Sequence, residues 1–336
     1  MEGTRLSSQA AGSLERLRTP YSAYRRGRPP FGEYEEARYL PSGDRYLLVE
    51  FGDRLNIIVN CKALAFEKEI KKSKIPGILE TCVGQLAVLI FYDDLIVSFG
   101  ELVAKLKEIE KKKISSIEET VLPSRLIEIP VLFHDKWTIE AANDYSAKML
   151  KPVEDNCEVV IKYNGLRDLD QLIEYTTTPD HWVANMGWMP GNANAFPLDP
   201  RYEIRAPKYN PSRTWTPQGT LGVGTADKVI YPLRSPGGYQ MIGRTPVKMY
   251  EPEQRNPAFK KSIQLAHVGD RMRFYPIGEE EYIQIEKEVQ EGTYRYRITS
   301  YDLFSMRKYL EFLEEVREDS MMELRKRPWS GDAHHV

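Results

Sequence analysis

Glycine, arginine and hydroxyl residues crowd together in Ser235-Pro236-Gly237-Gly238-Tyr239-Gln240-Met241-Ile242-Gly243-Arg244-Thr245-Pro246. Adjacent glycines let a backbone turn tightly and come close to a ligand. Tyr239, Met241 and Ile242 read as a short strand that Gly243 ends. Arg244 and Thr245 then place a permanent cation and a hydroxyl beside the turn, and a guanidinium forks well onto carboxylates. Two readings are open from the pattern: a carboxylate-binding turn, or a hairpin with a surface arginine. A second glycine-rich run, Thr216-Pro217-Gln218-Gly219-Thr220-Leu221-Gly222-Val223-Gly224-Thr225, either exposes backbone amides to a ligand or is a glycine-rich barrel strand.

The elements that position these runs are legible in outline. Arg45 to Phe51 is a buried strand, and Leu55 to Lys72 is a helix whose terminal lysines suit the negative helix end. Ile78 to Val83 and Leu86 to Tyr92 read as strands, and Gly100 to Lys113 as a helix. Together they predict one sheet covered by two helices. Arg125 to Phe133 starts a new unit. Trp137 to Leu150 reads as a helix, Cys157 to Tyr163 as a strand, and Leu169 to Thr176 as a helix. From His181 onward, strands separated by Gly and Pro predict a barrel or sandwich, with His181 a surface histidine and Trp188 in the core. Glu279 to Glu291 is a helix and Tyr294 to Ile298 a strand. Leu303 to Arg325 reads as one last helix, apolar on one face, docked onto the barrel or onto another subunit.

Composition sets the outer bounds. The 336 residues fit one large or two ordinary domains, and 41% hydrophobic content supplies real cores. A net charge of -2 argues against a nucleic-acid partner. No apolar run approaches the ~18 residues of a membrane span. The opening Met1-Glu2-Gly3-Thr4-Arg5 lacks the apolar stretch of a signal peptide. Cys61, Cys82 and Cys157 have no metal-type spacing and read as buried thiols in a reducing cytoplasm. No metal site is expected. The organisation expected is an extended arm over 1–35, a small α+β domain over 36–122, a β-barrel domain over 123–300, and a helix and tail over 301–336.

Several motifs in one order carry a resemblance. Residues 235–246 resemble the S-P-G-G-x-x-x-I-G-R-T-P signature of the family that contains allophanate hydrolase subunit 1, the B component of 5-oxoprolinase and a sporulation-kinase inhibitor. The same family contains subdomains C and D of the urea carboxylase carboxyltransferase domain. Tyr39 to Gly52 is similar to the family's opening strand, Ile75-Pro76-Gly77-Ile78 to its I-P-G-V step, and Ile129-Pro130-Val131 to the start of its second domain. Gly269 to Ile277 is similar to its G-D-x-V-R-F-x-P-I strand. The run from Thr216 resembles V-P-A-G-S-V-G-I-G, with Gln218 in place of Ala. His181 to Gly191 resembles the G-F-x-P-G-F loop, with Trp188 as the first aromatic and Asn192 replacing the second. Arg205 to Arg213 resembles P-R-x-x-x-P-R, with the arginines partly become Lys208 and Arg213. Asp227 and Lys228 replace Gln-Thr before the retained Ile230-Tyr231-Pro232.

The resemblance implies an α+β fold: a small α/β sandwich, then a cyclophilin-like β-barrel and a C-terminal helix. It also implies a carboxyl-transfer site that binds carboxybiotin and stabilises a developing oxyanion. Arg244, Gln218 and Lys208 would be its catalytic residues. Gly219, Ser235, Gly237, Gly238, Gln240, Thr245, Tyr231, Arg213, Asn185 and Trp188 would bind the substrate and carboxybiotin. Arg244, the 237–238 turn and the 218–219 loop are expected to line one pocket. The chain has no P-loop, no biotin-attachment hairpin and no defensible Ser-His-Asp or Cys-His group. Biotin is therefore expected on a separate carrier, and ATP and Mg only at a partner subunit. The implied function is one half of the carboxyltransferase of a cytoplasmic biotin-dependent carboxylase. Its partners would be a second carboxyltransferase subunit, a biotin carboxylase and the biotin carrier. A component of an ATP-dependent 5-oxoprolinase and a histidine-kinase inhibitor are the alternatives.

Overall fold

The computed structural model describes residues 32–114, 117–150, 152–300 and 302–330. The arm expected over 1–35 lies outside them except at its end, where a strand already begins at Glu33.

The first unit is an antiparallel sheet of β1 (Glu33–Pro41), β2 (Tyr46–Gly52), β3 (Ile78–Val83) and β4 (Ala87–Tyr92), in the order β1-β2-β4-β3. Leu47, Val49 and Phe51 alternate into its core, as a sheet with one covered face requires. The cover is α1 (Ile57–Ser73) and α2 (Phe99–Ile109). Asn56 caps α1 by accepting from the Ile58 N–H, and Ser98 with Glu101 closes a capping box on α2.

A short β5 (Val121–Pro123) leads into β6 (Leu126–Phe133), then α3 (Lys136–Met149), α4 (Asn156–Asn164) and α5 (Leu169–Thr177). The strand expected over Cys157–Tyr163 is thus helix α4. Asp155 caps it by accepting from the Cys157 and Glu158 N–H groups, and Gly165 ends it in the left-handed region at φ 64°. Cys157, Val160, Ile161 and Asn164 are buried at helical spacing. These caps outweigh the strand preference of Val159, Val160 and Ile161.

The second unit is a closed seven-strand barrel. After α5 come β7 (His181–Met186), β8 (Ala193–Pro197), β9 (Arg213–Thr216), β10 (Thr220–Gly224), β11 (Asp227–Ile230), β12 (Ser235–Gly237), β13 (Gln240–Arg244) and β14 (Arg271–Pro276). The barrel runs β13-β10-β11-β8-β7-β14-β6, and β13 closes it by pairing with β6. Helix α6 (Glu279–Glu291) follows, then β15 (Arg297–Thr299), which adds to β6 outside the ring. Strands β9 and β12 pair with each other as a separate ribbon.

Register sorts the barrel residues into two faces. Val183, Ala193, Ala195, Leu221, Val223 and Ile230 belong to the barrel core. Lys228 lies opposite Ala195 and Val223 and so shares their face. The other face carries Asn194, Gly222, Gly224, Asp227 and Val229. A register shift between Val183 and Asn185 turns Asn185 onto that face as well. His181 is fully buried, edge-on to Phe274 at 5.0 Å between ring centroids, not at the surface as its sequence context predicted.

The end of the chain also departs from expectation. Leu303 to Arg325 is not one helix: β16 (Leu303–Ser305) pairs with β5, and the chain then forms α7 (Met306–Glu315) and α8 (Arg317–Lys326), broken at Val316. Phe304, Met306 and Tyr309 complete the core of the first unit. Trp182, Ala184 and Phe196 of the barrel join the same core. Asn60 of α1 ties the units: its Nδ2 donates to the Ala184 carbonyl at 2.8 Å, and its Oδ1 accepts from Trp182 Nε1 at 2.8 Å.

Candidate functional site

A cavity of about 400 Å³ opens beside the outer face of the barrel. Strands β7, β8 and β11 supply Asn185, Asn194 and Val229. The loops supply Trp188, Lys208, Tyr231, Gly238 and Tyr239, and β12 supplies Gly237. Trp188, expected in the core, is 66% exposed, with its backbone at φ 71°, and its ring stands edge-on to Tyr231.

Glycines shape this cavity by allowing rings to lie on backbone. A Cβ at Gly224 would sit 2.7 Å from the Tyr239 ring, and one at Gly222 3.0 Å from the Tyr239 Cβ. A Cβ at Gly237 would sit 2.4 Å from the Tyr231 hydroxyl oxygen. Tyr239 Oη then donates to Asp227 Oδ2 at 2.8 Å, and Asn194 Nδ2 donates to the same oxygen at 2.7 Å. Lys208 Nζ stands 4.8 Å from the centre of the Tyr239 ring. Burial holds the Asp227 carboxyl above the usual carboxylate range, despite these hydrogen bonds and the Lys208 charge. Burial likewise pushes the Tyr231 and Tyr239 phenols up. Asn185 Oδ1 is a buried acceptor with no hydrogen-bond partner among the described residues.

Arg213 lies behind the cavity wall, 1% exposed, with its backbone paired to Gly237. Its guanidinium covers the Tyr209 ring at 4.5 Å, and Nη2 donates to Thr216 Oγ1 at 3.2 Å. Its Nε and Nη1 have no hydrogen-bond partner among the described residues. A buried guanidinium without a carboxylate makes this wall electropositive.

The remaining predicted residues do not line this cavity. Arg244 packs against the rings of Trp137 and Tyr282, 4.8 and 5.3 Å from their centres, and the two rings pack on each other at 5.0 Å. Its Nε donates to the Gln218 carbonyl at 2.7 Å, and its Nη2 lies 3.6 Å from Glu286. Gly219, at φ 81°, exchanges backbone hydrogen bonds with Tyr231 and Thr245. A Cβ there would meet the Thr245 carbonyl at 2.2 Å. Arg244, Gln218, Gly219 and Thr245 thus form a clamp that joins the barrel to α3 and α6. The β9–β12 ribbon holds Ser235, whose hydroxyl donates to the Leu233 carbonyl. Gln240 is buried, donating to the Pro207 carbonyl at 2.8 Å. Neither lines the cavity. Asp227, Asn194 and Tyr239 are site residues that sequence reasoning misses. Their signal is the spacing of Gly222 and Gly224, which leaves one face of a strand bare for a ring.

Among the described residues, no group of three or more His, Cys, Asp or Glu side chains is placed to hold a metal ion. No helix among them is long and apolar enough to cross a membrane.

The family model described as carboxyltransferase domain, subdomain C and D, matches residues 37–260. The chain is 30% identical over 285 residues to the urea amidolyase of Saccharomyces cerevisiae, covering 83% of this chain and 15% of that protein. It is 26% identical over 255 residues to the B component of 5-oxoprolinase from Bacillus subtilis, covering 73% of this chain and 95% of that one. The crystal structure of the Kluyveromyces lactis urea carboxylase superposes with a TM-score of 0.77 at 24% identity, over 89% of this chain and 27% of that one. The chain therefore spans a small part of its yeast relatives and nearly the whole length of the bacterial component.

Proposed function

The chain belongs to the carboxyltransferase-domain family of subdomains C and D, and on that premise we propose that it is one half of a carboxyltransferase in a biotin-dependent carboxylase. Its relatives are parts of larger enzymes, so its partners are a second carboxyltransferase subunit, a biotin carboxylase and a biotin carrier. The observation that supports the reading is the cavity in which Asn185, Lys208, Tyr231 and the 237–238 turn meet.

The residues fit a ureido group. Asn185 brings an Oδ1 acceptor with no hydrogen-bond partner among the described residues, and Lys208 with the Arg213 wall favours a carboxylate beside it. Biotin, when bound, supplies the carboxyl group to be moved. The chain's own residues hold the acceptor and draw the carboxylate to Lys208. The ring of Trp188 stands edge-on to Tyr231 at the cavity. The test is purification of the native complex, a streptavidin blot for a biotinylated chain, and bicarbonate-dependent carboxylation by that complex. Lys208→Met is expected to raise KM about tenfold or more in that assay. A complex without a biotinylated chain, or one indifferent to Lys208→Met, overturns the reading.

The match along 95% of the bacterial 5-oxoprolinase component favours a second reading, a part of an ATP-dependent lactam hydrolase. ATP-driven ring opening without any biotinylated partner would select it.

A further inference from the structure

Resting on the carboxyl-transfer reading, we propose that Tyr239 and Asp227 are the proton-accepting pair of the cavity. The Tyr239 hydroxyl takes a proton from the N–H of the acceptor, and its own proton passes to Asp227 Oδ2. The N–H bond breaks with its electron pair left on nitrogen. One O–H bond breaks and re-forms at Tyr239, and one forms at Asp227. A single negative charge moves from carboxylate to nitrogen, which becomes the nucleophile.

Elimination points to this pair. Among the described residues, the cavity lining contains no carboxylate and no imidazole. Lys208 lies exposed over the Tyr239 ring, 4.8 Å from its centre, so the groups that can relay a proton inward from the cavity are hydroxyls. Of the two phenols, Tyr231 stands against the Arg213 cation, which accepts no proton. Tyr239 alone has a carboxylate behind it, at 2.8 Å. The path from cavity to carboxylate therefore runs through one hydroxyl.

The surroundings are built to hold that hydroxyl still. Gly222 and Gly224 give the ring a bed on β10 that no larger residue permits. Asn194 holds Asp227 from the other side, fixing the oxygen that receives the proton. Asp227 faces Tyr239, Lys208 across the ring, Tyr231, and Lys228 beside it in the strand. Burial outweighs the attraction of Lys208, so the carboxylate is a stronger base than a free aspartate.

Two measurements decide the matter. In the full chain alone, infrared titration is expected to show a carboxylic acid forming above the ordinary aspartate range. That signal disappears in Asp227→Asn, and in Tyr239→Phe it moves to higher pH, because a hydrogen bond to the charged form is lost. In the assembled enzyme, Asp227→Asn and Tyr239→Phe are each expected to lower kcat about 100-fold with KM nearly unchanged. Titration in the ordinary range without response to Tyr239→Phe overturns the pair, as does near-wild-type kcat in Asp227→Asn. If the wild-type assembly transfers no carboxyl group, the functional reading falls, and the infrared titration alone decides whether Tyr239 and Asp227 share a proton.

Discussion

Replacing Lys228 by methionine is expected to stabilise the protein. The lysine points into the barrel among Val183, Ala195 and Val223, fully buried, and its Nζ has no hydrogen-bond partner among the described residues. Burial pushes its pKa down to about 7 from 10.5, against the attraction of Glu203 and Asp227. The unfolded chain thus binds this proton below pH 10.5, and the folded chain only below about 7. Between those values unfolding takes up a proton, so stability rises with pH across the window. The displacement corresponds to about 5 kcal/mol in full, and to about 4 kcal/mol at pH 7, where the folded lysine is half protonated. Methionine has nearly the same volume and no charge, so it removes this cost without opening a cavity. His181 does not confuse the comparison: burial and Lys228 hold its imidazole well below its usual value, so it stays neutral throughout the window. The assay is equilibrium unfolding in guanidinium chloride at pH 7 and pH 10, for both proteins. The variant is expected to gain several kcal/mol at pH 7 and much less at pH 10. A gain of equal size at both pH values, or a loss at pH 7, would refute the reasoning.

Two other outcomes follow from the same structure. Arg244→Ala is expected to lower stability by about 2 kcal/mol, through lost contacts to Trp137, Tyr282 and the Gln218 carbonyl; lost carboxyl transfer at unchanged unfolding midpoint would return Arg244 to a chemical role. In the native protein a thiol reagent is expected to modify Cys82 quickly and to spare Cys61 and Cys157, whose thiols are buried and pushed upward in pKa, and mass spectrometry of the modified peptides checks this.

How far the sequence can be read depends on the range of the signal. Strands β2, β3 and β4 and helices α1, α2, α5 and α6 announce themselves by periodicity and caps, and they form within a few residues of where the pattern places them, whereas β1 goes unread. Helix α4 reads as a strand because Val159, Val160 and Ile161 draw attention away from Asp155 and Gly165, which decide the case. The family motifs point to the glycine-rich turns. They give no means of separating Arg244, which braces the barrel, from Lys208, Tyr231 and Gly237, which line the cavity. That division depends on which face of a strand each residue takes and on what lies across it. Asp227 and Tyr239 are twelve positions apart and meet only after β10 and its two bare glycines come between their strands. Asn185 is legible as a candidate, but its orientation rests on the register shift beside Ala184, which no local pattern discloses.

The shared core of the first unit has a consequence for synthesis. Phe304, Met306 and Tyr309 belong to the core that Leu47, Val49 and Phe51 begin, and β16 pairs with β5 across the whole length of the barrel sequence. Domains usually fold as they leave the ribosome, the N-terminal one first. Here the core that the first sheet begins waits for residues made only after the whole barrel sequence, and until then the part of it that Phe304, Met306 and Tyr309 fill stands open. The barrel meanwhile carries Trp182 and Phe196 outward, toward that same unfinished surface. The order of translation and the order of completion are therefore opposed, and the first unit is complete only after the barrel has been made.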